Sequence, residues 1–88
     1  MSRKDKRRQK VMSGRQDANV SIAELTRVLR DLSFEKVSQV GSHQKWARED
    51  IPEFAEVQEA KGGKAKPYQV AQVRNLIKSL ILRRSQRV

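Results

Sequence analysis

The chain contains no cysteine, which excludes a disulfide framework and any thiolate metal site. No apolar run approaches the roughly 18 residues that a membrane span requires. The opening residues, Met1-Ser2-Arg3-Lys4-Asp5-Lys6, lack the apolar stretch of a secretory signal. The expected location is therefore the cytoplasm, with no membrane partner. Aromatic residues make up only 5% of the 88, and apolar residues 36%. That composition suits one domain with a modest core, and implies that part of the chain is tail. Also absent are the phosphate loop G-x-x-x-x-G-K-[ST], the dinucleotide fingerprint G-x-G-x-x-G, any paired histidines and a Ser/His/Asp set.

Positive charge is abundant. The net charge is +10, and its placement is uneven. Residues 1–15 hold seven Lys/Arg and one acid; residues 16–60 hold five bases and nine acids. Residues 61–82 hold five bases and no acid, and Arg83, Arg84 and Arg87 follow. Surface charge commonly does no more than keep a protein soluble. At a pI near 10.7, contact with a polyanion is the stronger expectation.

Residues 1–19 are polar, basic and interrupted by Gly14, Asp17 and Asn19. A short frayed helix over about 4–12 is compatible with this, but the segment reads as a flexible basic arm. Ser21-Ile22-Ala23-Glu24 then has the S-x-x-E pattern of a capping box. Ile22, Leu25, Val28, Leu29 and Leu32 follow on one helical face, which predicts a helix over about 22–33. Phe34–Val40 reads as a strand, Gly41-Ser42 as a tight turn, and His43–Arg48 as a second strand. On that strand His43 and Lys45 share one face, while Gln44 and Trp46 share the other. Phe54–Gln58 suits a third strand, and Lys61-Gly62-Gly63-Lys64 a loop. Pro67 opens a second helix over about 67–83, with Val70, Val73, Ile77, Leu80 and Ile81 at helical spacing. The expected class is α+β, in the order α-β-β-β-α. Its expected form is a three-stranded antiparallel sheet with two helices on one face. The folded domain is expected over 20–83, with a basic tail at 84–88.

His43 is the one histidine. Ribonuclease chemistry needs a group to accept the ribose 2′-OH proton, an acid for the leaving 5′-oxygen, and positive charge near the phosphorane. His43 suits a proton-transfer role, with Lys45 beside it and Lys64, Lys66 or Arg74 as further cations. By itself, a lone histidine in a small domain is more often structural or simply exposed. Trp46 can stack on a base or sit in the core, and a sole tryptophan is more often core. Tyr68 can stack or pack beside Pro67. Glu49, Asp50 and Glu53 read as a solvated acidic loop more readily than as a cation site.

Together these features resemble the HicA-type toxins of bacterial toxin–antitoxin pairs. The likeness is carried by the element order, the helix Ser21–Ser33, the Gly41-Ser42-His43 motif and the segment Gly62-Gly63-Lys64-Ala65-Lys66-Pro67-Tyr68-Gln69-Val70-Ala71-Gln72-Val73-Arg74. Ser13-Gly14-Arg15-Gln16-Asp17-Ala18-Asn19 is similar to the lead-in of one subgroup, so the resemblance covers about residues 13–82. It implies a fold like that of a double-stranded-RNA-binding domain. It also implies metal-independent endonuclease action on mRNA without a cofactor, and a HicB-type antitoxin that blocks the site. His43 then becomes the catalytic residue, placed by Gly41 and Ser42. Lys45, Lys66 and Arg74 are the electrostatic candidates for RNA contact. The chain departs from many members at Gln44, where they carry a second histidine. The acid would then have to come from Lys45, water or a charged His43. Two other readings fit the charge map: a non-catalytic RNA-binding module of the same fold, and a basic nucleic-acid- or ribosome-associated protein.

Overall fold

A computed structural model describes residues 2–86. Its elements run α1 (Arg3–Ser13), a 3₁₀ turn (Asp17–Asn19), α2 (Ile22–Asp31), β1 (Glu35–Val40), β2 (His43–Ala47) and β3 (Ala55–Gln58). A second 3₁₀ turn (Lys61–Gly63) leads into α3 (Pro67–Gln86). The strands form one antiparallel sheet in the order β1-β2-β3. The class is α+β, and the order from α2 onward is the expected α-β-β-β-α. Helices cover one face of β2 and β3 and leave the other face open, while β1 is exposed throughout.

α2 forms because its first and last turns are closed by its own sequence. The Ser21 hydroxyl accepts from the Glu24 amide, and the Glu24 carboxylate accepts from the Ser21 amide, both at 3.0 Å. At the other end Ser33 adopts φ 69°, the left-handed conformation usually given to glycine. That turn lets the Ser33 amide donate to the Arg30 carbonyl and the Phe34 amide to the Leu29 carbonyl. Phe34 is thereby carried into the core. Between these ends Leu25, Val28 and Leu29 are buried, and Ile22 and Leu32 pack partly against them. The sheet contributes Trp46, Ala55 and Val57, and α3 contributes Val70, Val73 and Ile77.

Residues 3–13 correct the expectation of a flexible arm. Ser2 caps α1 through the Asp5 amide, and Gly14 at φ 71° ends it. Val11 is fully buried, and α1 lies against α2 and α3. Its charge is neutralised from the next block of sequence: Arg7 pairs with Asp31, and Lys10 with Glu24, both at 3.0 Å. The composition of residues 1–19 alone conceals these acids. α3 also runs further than expected, through Gln86, so residues 84–86 of the expected tail continue the helix. A 20-residue helix is about 30 Å long, whereas the four residues of β3 span about 13 Å. Ile81, expected on the buried stripe, is therefore 56% exposed beyond the sheet. Residues 87 and 88 of the expected tail lie outside the described residues.

The two sheet edges differ. Beside β3, the nearly buried Gln69 side chain accepts from the Gln58 amide at 2.6 Å. β1 is exposed along its whole length, and its register with β2 shifts between Lys36 and Ser38, leaving Val37 as the bulged residue.

Glu24 links two helices and makes stability depend on pH. Burial works against its charge, but the Ser21 amide and the Lys10 ammonium outweigh this and hold its carboxyl below the ordinary value of 4.5. A depressed pKa gives stability that is present above the ordinary value and lost as pH falls through the folded one. In urea titrations, wild type is expected to lose more stability below about pH 4.5 than Glu24→Gln does. Parallel acid dependences of the two proteins would contradict that coupling.

Candidate functional site

β2 has the two-residue alternation of a half-buried strand. Trp46 is 1% exposed; its indole N–H donates to the Gln44 side-chain carbonyl at 3.0 Å, and the Arg30 guanidinium lies 5.2 Å from its ring centre. Gln44 and Trp46 thus face the helices. The same alternation turns His43 and Lys45 outward, both exposed on the open face.

His43 begins β2 directly after the two-residue turn Gly41-Ser42, opposite Val40. Only Gly41 of that turn has positive φ, at 59°, which is a type II′ hairpin. Nothing lies within 4 Å of a Cβ added at Gly41, so its backbone conformation, and not a shortage of space, favours glycine. Gly41 and Ser42 thus act by fixing where His43 starts its strand. The Gln39 side chain donates to the Gly41 carbonyl at 3.2 Å and steadies the tip.

The open face carries two cross-strand rows. Val40, His43 and Gln58 form one; Ser38, Lys45 and Glu56 form the other. A shallow groove of about 210 Å³ runs between them, lined by Ser38, Val40, His43, Lys45 and Glu56, with Gln44 and Val57 also bordering it. Lys45 Nζ lies 3.9 Å from Glu56 Oε1 and 5.3 Å from the centre of the exposed Phe54 ring. The His43 ring makes no hydrogen bond or ion pair among the described residues, so it is free for a ligand. Glu56 is the functional candidate that the sequence reading missed. Its strand was recognised, but its register opposite Lys45 fixes its face, and a register between strands is not written in either strand alone.

Lys66 precedes α3 and is half-buried. Glu59 bridges Ala65, so the chain from Lys61 to Lys66 returns beside the end of β3. Gln58, at that end, is paired with His43. Lys61, Lys64 and Lys66 therefore stand at the same end of the sheet as the hairpin tip, and their ammonium groups have no acceptor among the described residues. Tyr68 is 57% exposed at the start of α3. The acidic loop is neutralised in part from outside: Arg48 pairs with Asp50 at 2.7 Å, and Arg83 of α3 with Glu53 at 2.6 Å. The Arg83 fork holds the Glu53 carboxyl below its ordinary range.

Arg74 does not join this site. Its guanidinium makes a two-pronged pair with Asp17, at 2.8 and 3.1 Å, and donates to the Val11 carbonyl at 3.2 Å. That carbonyl belongs to the last turn of α1, where helix carbonyls lack partners of their own. Gly14 lets the guanidinium lie close, since a Cβ there would stand 3.3 Å from Arg74 Cζ. With its donors committed to Asp17 and α1, Arg74 is a clamp between α1 and α3 instead of the RNA contact expected from its charge.

Neither a family model, nor a curated protein, nor a solved structure matches the chain. Among the described residues, no helix is long and apolar enough to cross a membrane.

Replacing Arg74 by alanine is expected to destabilise the fold by about 2–4 kcal/mol, because it leaves Asp17 and the Val11 carbonyl unpaired. Any affinity for RNA, measured where the variant is folded, should stay within about threefold of wild type. A large loss of affinity at unchanged unfolding midpoint would return Arg74 to the binding surface.

Proposed function

We propose that this chain is a metal-independent endoribonuclease acting on mRNA, the toxin of a cytoplasmic toxin–antitoxin pair. One observation chiefly supports the reading. The sole histidine is exposed at a conformationally fixed hairpin tip, in a groove it shares with Lys45. An RNA phosphate in that groove would meet the imidazole for proton transfer and the ammonium for charge. The unpaired lysines of the Lys61–Lys66 segment would draw the flanking phosphates to the same end. A HicB-type antitoxin would act by covering the open sheet face.

Gln44 bears on the departure from the HicA pattern. It points to the helix side and bonds Trp46, so a second histidine at its position would not share the His43 face. Residue 44 borders the groove, but its side chain is committed to Trp46. A second reading, an RNA-binding module without cleavage, draws support from one fact: no described side chain orients the His43 ring. Phosphate contact requires no such orienting partner.

Incubating the purified protein with a long single-stranded RNA in EDTA distinguishes the two. Cleavage by wild type, reduced at least about a hundredfold in His43→Ala with RNA binding retained, is the expected result. Equal binding and no cleavage by either protein would favour the module.

A further inference from the structure

A single histidine leaves the reaction one proton-transfer group short. Lys45, water and a recharged His43 are the candidates that sequence offers. The structure adds a carboxylate in the same groove: Glu56, exposed on β3 and directly opposite Lys45. Resting on the ribonuclease reading above, we infer that Glu56 is a second catalytic residue, taking the 2′-OH proton while charged His43 serves as the acid.

Placement supports this first. His43 pairs with Gln58 and Lys45 with Glu56, so Glu56 is the diagonal neighbour of His43 on one face. Such neighbours lie about 7–8 Å apart at Cα, within reach of long side chains. In-line displacement at phosphorus puts the attacking and leaving oxygens on opposite sides. The base and acid must then stand apart by roughly a phosphoryl group, not in contact, and Lys45 lies alongside both. Charge supports it second. A carboxylate on a face that receives phosphate weakens binding, and its ion pair with Lys45 is long and half-exposed. A pair of that kind adds little to stability. Its presence in the groove is accounted for by chemistry better than by folding. The charged and titratable groups of this face are His43 and Lys45 from β2, Glu56 from β3 and, further along β1, Glu35 opposite Ala47; β1 also supplies Ser38 and Val40 beside the groove.

The step balances with these groups alone. The Glu56 carboxylate accepts the 2′-OH proton as the 2′-oxygen bonds to phosphorus. The bond from phosphorus to the 5′-oxygen breaks, and His43 imidazolium gives that oxygen its proton. The products are a 2′,3′-cyclic phosphate and a 5′-hydroxyl, with Glu56 protonated and His43 neutral. Attack of water on the cyclic phosphate reverses the roles. His43 takes the proton of the water, Glu56 returns its own to the 2′-oxygen, and a 3′-phosphate is left with both groups restored.

The experiment compares wild type, Glu56→Gln, Glu56→Asp and His43→Ala on three RNAs: an ordinary strand, a 2′-deoxy strand that cannot be cut, and a strand whose leaving 5′-oxygen is sulfur. A thiolate leaves without an acid. Glu56→Gln is expected to cut the ordinary strand at least about a hundredfold more slowly and to bind the 2′-deoxy strand as tightly as wild type or tighter. Glu56→Asp should fall between the two. The sulfur strand should restore cleavage by His43→Ala and not by Glu56→Gln. Near-wild-type cleavage by Glu56→Gln, with His43→Ala inactive, would remove Glu56 and leave the ribonuclease standing. A loss of cleavage matched by an equal loss of affinity would reduce Glu56 to holding Lys45, and sulfur rescue of Glu56→Gln would reverse the roles. No cleavage by wild type would overturn both readings.

Discussion

The burial of Trp46 is the constraint from which the open face follows. A strand has a period of two, so a tryptophan fixed in the core fixes the direction of every neighbour. Gln44 completes the anchor by accepting the indole N–H. A slip of one residue would bring His43 and Lys45 under the helices and expose the largest apolar side chain of the core. Fully burying an aromatic side chain is worth about 1.5–3 kcal/mol, so the register is enforced by packing that never touches the groove.

The second organising feature is the ionic attachment of α1. Its burial rests on few apolar residues, Val11 foremost, and its basic side chains would repel one another if left alone. Asp31, Glu24 and Asp17 come from the acidic stretch that follows it, the last by way of Arg74. Two blocks of opposite charge along the sequence thus become one neutralised interface. Arg3, Lys4 and Lys6 on the helix and the lysines before α3 stay unpaired among the described residues, as do Arg15, Arg27 and Lys78.

Much of this was legible in the sequence, for local reasons. The capping box, the apolar spacing of α2 and α3, and the Gly41-Ser42 turn each depend on residues within a few positions of one another. The alternation of β2 correctly separated His43 and Lys45 from Gln44 and Trp46. Three features resisted because their causes are distant in sequence. α1 is held by acids from another segment. Arg74 finds its partners 57 and 63 residues away. Glu56 joins His43 only through the pairing of β2 with β3. The Ser33 turn, too, hides behind a residue type that does not announce a left-handed backbone.

The unequal edges of the sheet bear on how these chains behave when crowded. Strands recruit other strands through unpaired backbone amides, and a flat edge can seed fibrous stacking. On β3 the side chain of Gln69 already occupies one outward amide. On β1 the kink at Val37 spoils a flat template, and Glu35 and Lys36 place charge beside it. Sheet growth from one molecule to the next is thereby discouraged at both borders.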